Sequence, residues 1–155
     1  WWSFFQVFAL QGAILWIVSS VLVPALFNTG GFTFFEILGM ALWGIGFFFE
    51  AVGDEQLRRF KKDPNNKGKV MDKGLWKYTR HPNYFGDATL WWGFFCFALA
   101  HPQGVFFIFA PLFMTFLLMK VSGVAMLEVK LKKSKPKYQE YIRKTSAFFP
   151  RPPKN

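Results

Sequence analysis

The chain has 155 residues, a single-domain length, and is 52% hydrophobic and 21% aromatic with a formal net charge of +10. Its 22 phenylalanines and 7 tryptophans are too many to leave in water, which excludes a disordered chain, and a lone cysteine, Cys96, excludes a disulfide scaffold. One cysteine and two distant histidines predict no metal site, and no heptad seam or internal repeat is visible.

No charged residue occurs from Trp1 to Phe35. About 20 apolar residues suffice for a helix to cross about 30 Å of hydrocarbon, so an all-α, polytopic transmembrane helical bundle of about four spans is expected. The first span is predicted over 4–27 and the second over 35–53, with the uncharged turn Asn28-Thr29-Gly30-Gly31 between them. A basic loop, 54–81, leads to a third span over 82–100 and the turn His101-Pro102-Gln103-Gly104. The fourth span, 105–127, contains Pro111 as an expected kink, and a basic interfacial tail, 128–155, completes a single membrane domain. In that tail Pro136 is expected to start a short helix with Tyr138, Tyr141 and Ile142 on one face, and Phe148-Phe149 to dip back toward the core.

Of the 19 lysines and arginines, nine lie between Arg58 and Arg80 and nine between Lys130 and Lys154. Both turns on the other side carry no formal charge, so loop and tail are expected on the cytoplasmic, or equivalent inner, face of an integral membrane protein. Orientation and attraction to anionic headgroups account for the positive charge, and no nucleic-acid partner is expected. A signal peptide is disfavoured, because the first apolar run is too long and lacks a basic leader.

Ionisable residues inside spans cost about 2.5 to 3.5 kcal/mol each at a helix centre, so each needs a reason. Glu50 and Asp54 lie four apart on one face near the inner end of span two. Pro82 suits the first turn of a helix, which puts Asn83 and Asp87 on one face at the start of span three, beside Tyr84. Glu128 closes span four at the same depth. These acceptors, under a loop holding Arg58, Arg59, Lys61, Lys62 and Arg80, predict an inner-face pocket for a polar cofactor with anionic groups. Arg80-His81 beside free helix N–H groups forms a ready anion site. The plain alternatives are headgroup-level carboxylates facing water, a helix cap at Asn83 and Asp87, and a lipid-phosphate anchor at Arg80.

The stretch Lys73-Gly74-Leu75-Trp76-Lys77-Tyr78-Thr79-Arg80-His81-Pro82-Asn83-Tyr84-Phe85-Gly86-Asp87 closely resembles the signature of a membrane superfamily holding steroid 5-alpha-reductases, sterol reductases and isoprenylcysteine carboxyl methyltransferases. Phe49 to Leu57 before it, Trp91-Trp92-Gly93 after it, and Glu128, Tyr138, Tyr141 and Phe148-Phe149-Pro150 extend the likeness to the steroid 5-alpha-reductase-like branch. The resemblance implies a helical-bundle enzyme holding NADPH, or S-adenosylmethionine in the methyltransferases, at the cytoplasmic face. It places cofactor contacts on Glu50, Asp54, Lys61, Asn83, Asp87 and Glu128, with Tyr78, Arg80, His81 and Tyr84 beside them. Asp87 stands where many relatives have Glu, and Glu50 where animal steroid reductases have Asn. Reductases of this kind carry further N-terminal spans with the substrate-gripping residues, which this chain, starting at Trp1, is expected to lack.

The resemblance therefore implies NADPH-dependent reduction of an activated C=C bond in a lipid-soluble, steroid- or enone-like substrate, with no catalytic residue assigned. Methyl transfer from S-adenosylmethionine to a lipid or prenyl group is the alternative. A third reading is a non-catalytic structural subunit among other membrane subunits, suggested by ten Phe and Trp residues before Glu36.

Overall fold

The computed structural model describes residues 1–27, 30–121, 124–134 and 136–154. Asn28 and Thr29 of the expected first turn, Ser122 and Gly123 of the expected fourth span, and Lys135 and Asn155 of the tail lie outside the described residues. Among the described residues seven α-helices follow in order: α1 (Trp2–Ser19), α2 (Leu22–Leu26), α3 (Phe34–Lys62), α4 (Pro82–Leu99), α5 (Phe109–Phe116), α6 (Val124–Ser134) and α7 (Tyr138–Lys144). Among the described residues there is no strand, only one isolated bridge between Thr79 and Ser146. The architecture is an all-α membrane bundle.

Among the described residues, three stretches are long and apolar enough to cross a bilayer: Trp2–Ser19, Phe34–Lys62 and Gly104–Val129. With 18 residues, α4 has the length, but Asn83, Tyr84, Asp87 and Thr89 make its first half polar; α2, α3 and α5 all pack against it. The apolar side chains of α1 are nearly all exposed, as lipid-facing residues should be.

The expected first span divides at Ser20-Val21 into α1 and α2. Pro24 has no N–H to continue the ladder, and at the break the Val21 N–H turns to the Val18 carbonyl while the Ile17 carbonyl accepts from the Ser20 hydroxyl at 2.6 Å. The second span runs past Gly53 to Lys62, so the expected loop begins as helix. Helix-favouring Glu55-Gln56-Leu57-Arg58-Arg59 explains this, with Glu55 accepting from Arg58 Nε at 2.6 Å and pairing with Arg59 one turn on. At 1.5 Å per residue, 29 residues make a rod of about 43 Å, so its charged end projects beyond the hydrocarbon. A carboxylate at the start, Glu36, accepts from the Thr33 backbone N–H at 2.7 Å.

The expected kink at Pro111 falls instead in the first turn of α5, where a 3-10 stretch, Gly104–Ile108, becomes α-helix and a missing N–H costs little. The irregularity of this span lies further on, in a π-turn over Leu117–Val121.

A glycine seam joins α3 to α4. Gly39, Gly46 and Gly53 recur every seven residues, two helical turns, and face Gly93, Gly86 and Pro82 of the antiparallel α4. A Cβ at Gly46 would stand 2.6 Å from both the Gly86 carbonyl oxygen and the Leu90 nitrogen, so the two backbones touch. Such contact gives dispersion and Cα–H···O attraction where lipid supplies no hydrophobic drive between helices. Val21, Phe95, Ala98 and Ala110 form one buried cluster, and Ala88, Leu118 and Phe148 a second nearer the polar end.

Candidate cofactor site

The polar end is built where α3, the start of α4 and the tail meet. A 3-10 turn, Gly74–Lys77, precedes α4. Gly74 sits at φ +60°, a conformation that suits glycine, and the next N–H, of Leu75, donates to Gln56 Oε1 of α3 at 3.0 Å. Gly74→Ala should cost about 1 to 2 kcal/mol, from left-handed strain and from displacing Gln56, read as a lower unfolding midpoint in detergent. Trp76 is buried and its indole N–H donates to the Gly53 carbonyl at 3.0 Å, which fixes the turn on the α3 seam.

Four predicted residues converge in one cluster. Asn83 Nδ2 donates to Asp54 Oδ1 at 2.8 Å, and Glu50 lies within electrostatic reach of both Asp54 and Asp87. The seam makes this possible, since Gly53 lets Asn83 approach and Gly86 lets Glu50 do so. Asn83 Oδ1 is buried and has no hydrogen-bond partner among the described residues. Tyr84 is partly buried, close to Asp54, with its ring stacked parallel on His81 at 5.4 Å between centroids.

Arg80, His81 and Glu128 form a second, deeper cluster. Arg80 Nε donates to Glu128 Oε1 at 2.7 Å, and both side chains are nearly buried. The same guanidinium donates through Nη1 to the Ile142 carbonyl at 3.2 Å and to that of Thr145. His81 is 2% exposed, with Nε2 at 3.5 Å from Glu128 Oε1 and no hydrogen-bond partner among the described residues. The Tyr138 hydroxyl is buried and unpartnered in the same sense, and burial, with Glu128 nearby, pushes its phenol up to about 12.

Two predicted residues stand apart. Lys61 lies on the Asp54 face of α3, two turns and about 10 Å further out, exposed at a hollow it shares with Phe60, Asn66 and Lys67. Tyr78 is 43% exposed, and its carbonyl accepts from the Arg151 N–H at 2.9 Å. Of the cations expected to face the pocket, Arg58 and Arg59 are engaged by Glu55, and Arg80 by Glu128.

The sequence reading did not find the glycine seam that sets these distances. Its signal was present as glycines at seven-residue spacing in two segments, a period hidden because most positions around them are apolar too. It also missed Thr79, fully buried, whose hydroxyl donates to the Phe148 carbonyl at 2.8 Å.

Helices long and apolar enough to cross a bilayer, with carboxylates and an amide gathered at one end, define an integral membrane protein with a polar cluster at that end. The chain belongs to the steroid 5-alpha-reductase-like family, matching over residues 1–145 the family described as "Protein of unknown function (DUF1295)". It is similar to the 3-oxo-5-alpha-steroid 4-dehydrogenase 1 of Mus musculus, 35% identical over 71 residues, covering 46% of this chain and 28% of that protein. The protein of the same name from Rattus norvegicus is 35% identical over 71 residues, 46% of this chain and 27% of its own length. "Probable O-methyltransferase ustE" of Ustilaginoidea virens is 40% identical over 53 residues, 34% of this chain and 18% of that protein. The chain thus spans less than a third of these relatives, at 18% to 28% of their length. No solved structure matches it. These relatives support a membrane reductase family.

Proposed function

We propose that this chain binds NADPH at the inner end of the bundle and takes part in reducing an activated C=C bond of a lipid-soluble, steroid- or enone-like substrate. The observation that carries this reading is the Asn83–Asp54 pair beside Glu50 and Asp87, with Asn83 Oδ1 buried and unpartnered. A buried acceptor without a donor costs about 1 to 3 kcal/mol, which a ligand N–H or O–H would recover. Carboxamide and ribose hydroxyl groups are such donors, so the residues present fit this end of a dinucleotide.

The cofactor would supply a hydride. The chain's own groups hold and orient it: Asn83 Oδ1, Asp54, Glu50 and Asp87 accept hydrogen bonds, and Lys61, about 10 Å outward on the same helix face, faces the anionic part. The density of Lys and Arg in loop and tail supports a cytoplasmic position for this end.

Asn83→Ala should weaken NADPH binding about tenfold, the cost of a lost hydrogen bond, as read by titration of the purified chain. The methyltransferase reading draws on a specific observation too: Arg58, Arg59 and Arg80 are all engaged by carboxylates, which leaves no guanidinium of the loop to grip a phosphate and suits the cationic S-adenosylmethionine. Saturable binding of S-adenosylmethionine with none of NADPH would overturn the reductase reading. Binding of neither would leave the structural-subunit reading.

A further inference from the structure

We propose that Arg80 and Glu128 are positioning residues rather than cofactor contacts, and that together they clasp the tail, residues 138–148, over the entrance to α4. Arg80 is the hub. Its guanidinium takes the Glu128 carboxylate of α6 together with the Ile142 and Thr145 carbonyls, and its own backbone N–H donates to the Ser146 carbonyl at 2.9 Å. Flanking bonds extend the clasp along the turn: Thr79 Oγ1 to the Phe148 carbonyl, the Tyr141 hydroxyl to the Trp76 carbonyl, and the Arg151 N–H to the Tyr78 carbonyl.

The geometry separates this cluster from ligand binding. Arg80 is 8% exposed, and two of its three guanidinium nitrogens, Nε and Nη1, donate to a carboxylate and two carbonyls of this chain. A guanidinium engaged in this way holds its partners by charge-assisted bonds in a fixed plane, and releasing it to seize a phosphate would leave Glu128 a buried, unpaired anion. Three residues after Arg80, Asn83 opens the other cluster, so the tail ends up beside the cofactor residues. Tyr138, Tyr141 and Phe148, all buried, supply the apolar side of the closure.

The test uses the full chain in detergent or nanodiscs, with hydrogen exchange over residues 138–148 and titrations with NADPH and with NADH. Only the titrations rest on the NADPH reading. Arg80→Ala should speed exchange across the tail about tenfold or more and weaken both nucleotides by one common factor, again about tenfold, because a loosened lid does not discriminate between them. Arg80→Lys should restore part of both effects. Tyr141→Phe, which removes only the hydroxyl bonded to the Trp76 carbonyl, should reproduce them more weakly, and it serves if Arg80→Ala fails to fold. Unchanged tail exchange in Arg80→Ala, or loss of NADPH binding with NADH binding kept, would overturn the clasp and make Arg80 a direct phosphate contact. If the unaltered chain binds neither nucleotide, the NADPH reading fails while tail exchange still decides the clasp.

Discussion

Gly46→Ala should destabilise the protein by about 3 kcal/mol, at the upper end of overpacking costs, although alanine is the better helix former. The added methyl would meet the Gly86 carbonyl and the Leu90 nitrogen, both main-chain atoms that no side-chain rotation can move. The helices must part, and the dispersion contacts along the seam weaken together. Gly44→Ala, two residues away, meets nothing within 4 Å and should be neutral or stabilising by up to about 1 kcal/mol. Unfolding midpoints of the pair in one detergent would measure the difference. Equal effects from both substitutions would mean that α3 and α4 are not in backbone contact.

Glu128→Ala should be the most damaging change at the polar end. Removing one partner of a buried ion pair leaves the other charge uncompensated, at about 3 to 5 kcal/mol. Here the stranded group is Arg80, held at 2.7 Å from Glu128 Oε1. Joining Arg80→Met to Glu128→Leu should cost less than the sum of the two single changes, because no isolated charge remains. It should not restore full stability, since the Ile142 and Thr145 carbonyls lose their donor. A double-mutant cycle on unfolding free energy gives the coupling, and additive effects would contradict the pair.

The bundle could be read from the sequence because its signals are long and collective. Charge-free runs of about 20 residues, broken by basic stretches, dictate spans whatever their packing partners. Element ends were less legible. Nothing local distinguishes Gly53 as a helix end from Gly53 as a packing contact, and the helix continues past the expected span to Lys62, supported by the Glu55 pairs with Arg58 and Arg59. In the site, Glu50, Asp54, Asn83 and Asp87 could be grouped from i, i+4 spacing and a shared depth. Arg80 could not be assigned, because a guanidinium that binds an anion and one that holds its own chain have the same local sequence. The distinction lies in Glu128, Ile142 and Thr145, 48 to 65 positions away.

Helix α3 carries Met40 and Trp43, which line an apolar hollow of about 440 Å³ with Phe94 and Phe97, and also Glu50 and Asp54, on one unbroken rod. No hinge separates the greasy recess from the acidic end. From Met40 to Asp54 is a fixed span of about 21 Å at 1.5 Å per residue. A tilt provoked by an occupant at either place is therefore transmitted mechanically to the other, as by a lever with its pivot on the glycines.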